Sequence, residues 1–171
     1  MISDISDNGP SGKTGKLQLY HILAFTFTGT TITTHLLIRQ SGTRWIAITG
    51  VCVLAVSAVL MFSPFYYLKK FGSVPEGHPY YKTDRLVDRG PYRLVRHPQY
   101  LGYSLLAAGF ALISQNYIVI LSALLAFVMF YILARIEDAD CLVNFGAPYR
   151  HYAQRVPAFN ILTGIIRLLF K

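Results

Sequence analysis

The sequence predicts an all-α integral membrane protein with about four transmembrane helices, a C-terminal helical hairpin and an interfacial tail. Hydrophobic residues make up 53% of the 171 residues and charged residues only 14%, whereas a soluble domain typically has about 25% charged residues. The apolar residues are gathered in long blocks, and the basic residues lie between the blocks. The length suits a single domain.

Two of the hydrophobic blocks are uninterrupted. Residues 19–38 contain no Lys, Arg, Asp or Glu, and residues 45–68 contain no ionisable side chain except tyrosine and cysteine. Each block is long enough to cross a hydrocarbon core of roughly 30 Å at about 1.5 Å per residue. We therefore predict two transmembrane helices within residues 19–68. Residues 1–18 are rich in Ser, Asp and Gly, and we predict that they form a disordered tail.

A third uncharged block, residues 100–134, is about twice as long as one span requires. A Ser-Gln-Asn tripeptide, which is typical of a turn, interrupts it at residues 114–116. The alternative is one long buried helix, but that helix would overshoot the bilayer. We therefore predict a helical hairpin with spans at about 98–114 and about 116–136.

The formal net charge of +8 is distributed as expected for a membrane protein. Fourteen of the sixteen basic residues lie in the N-terminal tail, in the central loop or after the fourth span, and the other two, Arg39 and Arg44, lie between the first two spans. Cytoplasmic segments are enriched in Lys and Arg. This bias predicts that both termini and the central loop are cytoplasmic. It also favours anionic membrane lipids over nucleic acid as partners of the basic residues.

The first candidate functional segment lies where the central loop meets the third span. Residues 69–97 are rich in Gly, Pro and Tyr, a composition that suits a folded cap over a site. Pro98 suits the first turn of a helix, whose free N–H groups attract a carboxylate or phosphate, and His97 stands beside it. In the alternative interpretation, Arg93 and Arg96 only anchor the span in lipid headgroups and His97 only caps the helix.

The second candidate segment follows the fourth span, where Glu137, Asp138 and Asp140 stand near a helix C-terminus. Negative charge is mildly unfavourable there because of the helix dipole. A salt bridge to the basic loop or a bound ligand would offset this cost, and the alternative is an ordinary solvated helix end. Tyr149 and Tyr152, three residues apart, form an aromatic face that either covers a ligand or anchors the chain at the membrane interface.

Smaller features give further expectations. Residues 159–170 are apolar with one arginine and predict an interfacial helix. Gly102 and Gly109 fall on one helical face, which another group could approach closely. Cys52 lies in a predicted span and Cys141 on the predicted cytoplasmic side, so we expect no disulfide between them. The sequence has no Cys/His cluster that would indicate a metal site.

Taken in order, these segments resemble the isoprenylcysteine carboxyl methyltransferase and phospholipid methyltransferase superfamily. The resemblance covers about residues 84–157 and depends on an ordered set of motifs. These are Arg96-His97-Pro98-x-Tyr100-x-Gly102, an uncharged hairpin, the pair Glu137-Asp138, Phe145-Gly146-x-x-Tyr149-x-x-Tyr152 and Arg155-Val156-Pro157. The sequence has Asp138 where a second glutamate is usual in the family.

The resemblance implies an enzyme that transfers a methyl group from S-adenosylmethionine to a lipophilic or lipid-modified acceptor. The acceptor would be an isoprenylcysteine-type carboxylate or a phospholipid-type amine, and residues 69–171 would form one catalytic unit. The implied cofactor-binding residues are Leu86, Val87, Tyr92, His97, Pro98, Gln99, Tyr100, Gly102 and Glu137. The segment 97–100 would hold the amino acid end of the cofactor, and Glu137 its ribose or amino group.

The catalytic candidates are Arg135, Glu137 and Asp138. An amine acceptor must lose a proton, and Glu137 or Asp138 could assist only if it lies near the acceptor, whereas a carboxylate acceptor needs no base. Isoprenylcysteine enzymes are expected to have an arginine one turn before the glutamate to hold the substrate carboxylate. Leu133 occupies that position here, and Arg135 is the nearest substitute. The whole prediction requires His97 and Glu137 to face one shared pocket.

Two other functions are compatible with the sequence. Sterol-type reductases, which use NADPH, resemble the chain in an Arg-His-Pro segment and in the acidic and Val-Pro ending, but they are normally much longer. A non-catalytic lipid-binding or assembly subunit would use the acidic pair only to bridge to arginines of the loop.

Overall fold

A computed structural model describes residues 10–38, 42–77 and 79–170, and within these ranges the regular structure is entirely helical. The α-helices are α1 (Pro10–Leu37), α2 (Arg44–Phe71), α3 (Pro98–Ser114), α4 (Tyr117–Phe145), α5 (Ala147–Arg155) and α6 (Ile161–Leu169). A single 3₁₀ turn, Gly90–Arg93, lies in the loop between α2 and α3. The predicted all-α class is therefore confirmed for the described part of the chain.

The first helix begins earlier than the sequence predicted. α1 starts at Pro10, so residues 10–18 of the predicted disordered tail are helical, and that part of the prediction was wrong. Residues 1–9 of the predicted tail lie outside the described residues. Proline suits the first turn of a helix. Extending a helix that packing already stabilises is easier than nucleating one, so polar composition does not prevent this extension.

The four long helices pack side by side. α3 contacts α2 on one side and α4 on the other, and α1 packs against α4 and α3. Small side chains dominate the shared core of α1, α3 and α4, where they let the helix backbones approach closely. They are Ala24, Ala107, Ala111, Ala123 and Ala126. The hydroxyl groups of Thr31 and Ser122 also hydrogen-bond between α1 and α4 at 2.9 Å.

Glycines set the contact between α2 and α3. A Cβ atom on Gly102 would lie 2.9 Å from the backbone nitrogen of Met61, and one on Gly50 would lie 2.8 Å from the carbonyl oxygen of Gly109. The Ser57 hydroxyl donates to the carbonyl oxygen of Gly102 at 2.8 Å. The glycine face expected on α3 is therefore a packing surface for α2.

The turn between α3 and α4 is the predicted one. Gln115 adopts a left-handed conformation with φ 49° and ψ 32°. The Asn116 side chain caps α4 by accepting from the N–H of Ile118 at 2.7 Å and of Val119 at 3.4 Å. The Gln115 side chain also binds both backbone groups of Thr43, ahead of α2. The hairpin prediction is confirmed, and the long-helix alternative is excluded.

Within the described part of the chain, α2 and α4 are long and apolar enough to cross a membrane. In the most apolar 18-residue stretch of each helix, only 17% is buried inside the protein in α2 and 39% in α4. The core helix of a soluble protein would be mostly buried. α4 continues to Phe145, well past the predicted end at residue 136. Membrane crossing by each of the four long helices remains a prediction.

Candidate functional site

A cavity of about 1000 Å³ lies between α1, the loop that precedes α3, the start of α3, the end of α4 and α5. Its volume is at the upper end of the range found for sites that bind small molecules and cofactors. Eight of the nine predicted cofactor-binding residues line it. They are Leu86, Val87, Tyr92, His97, Pro98, Gln99, Tyr100 and Glu137.

Gly102 is the predicted cofactor-binding residue that lies elsewhere. It packs against Met61 of α2 and does not line the cavity. Two residues after Tyr100, it is rotated by about 200° around the helix, so the two residues face opposite sides of α3. The structure therefore places Gly102 at the contact between α2 and α3 and does not bring it together with the other predicted cofactor-binding residues.

Of the three catalytic candidates, only Glu137 lines the cavity. The Arg135 side chain is 61% exposed and lies 3.7 Å from Asp138. Arg135 precedes Glu137 by two residues, so it points to the opposite side of α4. The structure therefore does not support Arg135 as a substitute that holds a substrate carboxylate in the cavity, and Leu133 is fully buried.

Asp138 is the centre of a buried hydrogen-bond cluster. Arg96 Nη2 donates to its Oδ2 at 2.8 Å, and His97 Nε2 and the Tyr149 hydroxyl donate to its Oδ1 at 2.7 Å and 2.5 Å. Arg96 Nη1 also donates to the carbonyl oxygen of Ala153. Burial and the bond to Asp138 raise the pKa of Tyr149, so its hydroxyl remains a donor. Asp138 thus forms the predicted salt bridge to the loop and does not line the cavity.

His97 faces Glu137 as well as Asp138. Its Nδ1 lies 3.8 Å from Glu137 Oε2, and its side chain is only 3% exposed. Burial lowers the pKa of His97, but the interactions with Asp138 and Glu137 outweigh burial and raise it above the ordinary value. The ring is therefore charged more readily than a free histidine, and in the charged ring Nδ1–H is a donor on the side of Glu137. His97 forms no side-chain cap on α3, so the alternative of a mere helix cap is wrong.

The C-terminal segment forms hydrogen bonds to the loop that precedes α3. Gly146, with φ 60°, separates α4 from α5, and positive φ favours glycine. From α5, the Tyr152 hydroxyl donates to the carbonyl oxygen of Tyr92 at 2.8 Å. Beyond α5, the Pro157 carbonyl accepts from the backbone N–H of Arg96 at 2.9 Å. The tyrosine face that the sequence predicted is therefore buried against the site and is not an interfacial anchor.

Residues of α1 also line the cavity, and the sequence did not indicate them. Leu17, His21 and Phe25 line the cavity, and their spacing of four residues places them on one face of the helix. That spacing is visible in the sequence, but a histidine between apolar residues in a predicted span is by itself a weak signal. Tyr80 of the loop also lines the cavity and donates to the Gln99 side chain at 3.0 Å, and it was not among the predicted site residues.

Comparison with known protein families gives a match that includes the residues of the cavity in α3 and α4. The family model described as phospholipid methyltransferase matches residues 45–146, which is more than half of the chain. The matched region contains all of α2 except its first residue, the loop, α3 and α4, and therefore both His97 and Glu137. No curated protein and no solved structure matches the chain.

Proposed function

This chain belongs to the phospholipid methyltransferase family, and on that basis we propose that it transfers a methyl group from S-adenosylmethionine to the amine of a lipophilic acceptor. The observation that carries the proposal is the approach of His97 and Glu137, from two separate elements, on the wall of one cavity. The family supports methyl transfer, and the side chains of the cavity support the cofactor and the class of acceptor.

The lining residues fit the chemistry of S-adenosylmethionine. A charged His97 ring is a suitable donor for the amino acid carboxylate. The backbone N–H groups of Gln99 and Tyr100 precede the first hydrogen bond of α3, which joins Leu101 to His97, and such N–H groups favour an anion. The Glu137 carboxylate, 48% exposed, is an acceptor for an ammonium or ribose hydroxyl group.

Apolar groups complete the fit. Leu86, Val87 and Tyr92 line the same cavity from the loop and offer surface for an uncharged ring system. When bound, S-adenosylmethionine supplies a methyl group on a sulfonium, which is open to in-line attack. The protein aligns the acceptor with that methyl group and restricts water, and alignment alone can contribute about 7–11 kcal/mol to lowering the barrier.

The charges that line the cavity favour an amine over a carboxylate as acceptor. Asp84, Glu137 and Asp140 line the cavity. Apart from His21, the basic side chains among the described lining residues are Lys82, Arg96 and His97, and of these Arg96 and His97 are bound to Asp138. A carboxylate acceptor would need a cation near the methyl group, and Arg135 does not line the cavity. An ammonium group would be attracted by the same carboxylates.

The surroundings of the cavity suit an acceptor that is lipophilic. Leu17, Phe25, Tyr103 and Leu133 line it from α1, α3 and α4, and large apolar side chains cover the outer surface of α2 and α4. We propose that α1–α4 cross the membrane and that the site lies at the cytoplasmic leaflet, as the distribution of basic residues predicts. A lipid would then enter from the bilayer and the cofactor from the cytosol.

The test is cofactor binding and turnover by the full chain in lipid nanodiscs. S-adenosylmethionine should bind in a calorimetric titration, and nanodiscs that contain phosphatidylethanolamine should yield a methylated lipid detectable by mass spectrometry. His97→Gln should weaken binding, whereas Arg135→Ala, a matched loss of a cation outside the cavity, should not. Absence of binding by the unchanged chain would refute the proposal, and a thermal shift with NADPH alone would favour the reductase alternative.

A further inference from the structure

His21 places an imidazole ring on the wall of the cavity from α1, outside the region that the family model matches. It lies between Leu17 and Phe25 on the same helical face, one turn from each, so it is the polar group of an otherwise apolar strip. A histidine at such a position either packs passively or takes part in the chemistry of the cavity.

The hydrogen bonds of His21 determine which ring nitrogen is free. Nδ1 lies 2.9 Å from the carbonyl oxygen of Leu17. A carbonyl oxygen can only accept, so Nδ1 carries the proton and Nε2 of the neutral ring carries a lone pair. The Tyr100 hydroxyl donates to Nε2 at 3.4 Å, a long contact that a closer donor on a substrate would replace.

The position of Tyr100 relates His21 to the proposed cofactor site. The Tyr100 ring stacks on His97 with 6.1 Å between ring centroids and on Phe130 with 6.0 Å, and its centroid is 6.2 Å from that of His21. Tyr100 therefore contacts both the segment that would hold the cofactor and the α1 strip. A lipid whose chain lies along Leu17 and Phe25 would present its headgroup between the two histidines.

We propose that His21 Nε2 accepts the proton that an ammonium acceptor must lose before it is methylated, and this inference rests on the proposed function. The N–H bond of the ammonium breaks and the proton passes to Nε2, which leaves a lone pair on the amine nitrogen. That lone pair forms the bond to the methyl carbon, and the carbon–sulfur bond breaks with its electrons remaining on sulfur as a neutral thioether. The proton on Nε2 is later released to solvent.

Other titratable groups share the wall with His21. Tyr100 and Tyr103 come from α3 and Glu137 comes from α4. The tyrosine hydroxyl groups are poor acceptors of a proton from an ammonium ion, and the proposed function assigns Glu137 to the cofactor. Nε2 of His21, whose Nδ1–H is bound to the Leu17 carbonyl oxygen, is therefore the remaining proton acceptor among these groups, and imidazole is the commonest general base in enzymes.

The experiment compares His21→Ala and His21→Gln with the unchanged chain in nanodiscs that contain phosphatidylethanolamine. At neutral pH, kcat should fall about 100-fold, which is the lower end of the usual contribution of general base catalysis, while the Kd of S-adenosylmethionine stays the same. The defect should shrink as pH rises, because the amine then loses its proton in solution. His35→Gln is the matched control, since His35 lies on α1, binds Ser114 and does not line the cavity.

A measurement without the cofactor tests the same contact. In ring-labelled histidine NMR spectra, the resonance that disappears in His21→Gln should shift when phosphatidylethanolamine replaces phosphatidylcholine in the nanodiscs. A kcat defect that is constant with pH, or an imidazole resonance that does not shift with phosphatidylethanolamine, would overturn the role of His21 while leaving the chain a methyltransferase. Failure of the unchanged chain to bind S-adenosylmethionine would instead overturn the proposed function.

Discussion

His97 Nε2 donates to Asp138 Oδ1 across 2.7 Å and so ties the segment before α3 to the last turns of α4. Glu137, the neighbour of Asp138, is rotated by about 100° on the helix and lines the cavity. The two adjacent acids therefore serve different purposes. Asp138 fixes the His97 ring, and Glu137 is available to a ligand.

Asp138→Asn should destabilise the protein strongly. The change leaves the buried Arg96 and His97 without their anionic partner, and breaking a buried ion pair typically costs about 3–5 kcal/mol. Denaturation in detergent, followed by circular dichroism, measures the change in free energy of unfolding. Arg135→Ala is the control, because an exposed ion pair contributes less than about 1 kcal/mol. Equal effects of the two substitutions would contradict the assignment of Asp138 to the buried cluster.

Glu137→Gln should act on binding and leave stability nearly unchanged. Its carboxylate is half exposed in the cavity. Loss of a charge-assisted hydrogen bond of about 1.5 kcal/mol corresponds to roughly a tenfold increase in the Kd of S-adenosylmethionine. Calorimetric titration measures that constant. Glu76→Gln removes the same charge from an exposed loop position outside the cavity and should not change it. If both variants bind as the unchanged chain does, Glu137 is not a ligand of the cofactor.

The helices could be predicted because they follow from local patterns, and most of the residues that line the cavity were implied by the family resemblance. Hydrophobic blocks predicted the four long helices, and the turn-like residues Gln115 and Asn116 predicted the break between α3 and α4, where the Asn116 side chain accepts from the N–H of Ile118. The motif around His97 and the acidic pair identified most of one cavity wall. These signals are contained in short stretches of chain, so they can be recognised without knowledge of the packing.

The errors concern contacts between elements that lie far apart in the chain. Gly102 was assigned to the cofactor because it lies in the motif, but the position of α2 decides which face of α3 is free. The role of His21 depends on α1 packing near α3, which no spacing in the sequence reveals. Arg135 was chosen by proximity in sequence, and the rotation of α4 takes it away from the cavity.

The stability of the protein should depend on pH through His97. Its pKa is raised in the folded state because the interactions with Asp138 and Glu137 outweigh burial. A raised pKa means that the folded state binds the proton more tightly than the unfolded chain, in which the pKa of histidine is about 6.5. The stabilisation is therefore complete below that pH and is lost as pH rises through the folded pKa.

The measurement is the free energy of unfolding of the unchanged chain and of His97→Gln from about pH 6 to about pH 9, a range that begins near the pKa of free histidine. The difference between the two should be largest at the acidic end and should decrease with rising pH. His151→Gln, which removes an exposed histidine of α5 outside the cavity, is the matched control for the loss of an imidazole. A difference that grows with pH would show that His97 is held neutral in the folded protein.

Gly102→Ala should weaken the contact between α2 and α3 without changing the cofactor site. The added Cβ would lie 2.9 Å from the Met61 backbone nitrogen, so one helix must move, and overpacking of this kind costs about 1–3 kcal/mol. Gly29→Ala is the matched control on α1, where nothing lies within 4 Å of the added atom. There the greater helix propensity of alanine should raise stability by up to about 1 kcal/mol.

We therefore expect Gly102→Ala to lower the free energy of unfolding and Gly29→Ala to raise it. The Kd of S-adenosylmethionine should be unchanged in both folded variants. The binding constant separates the two roles that Gly102 was given. If Gly102→Ala left stability intact and weakened cofactor binding, the glycine would belong to the cavity after all, and the packing of α2 on α3 would have to differ from that described by the structure.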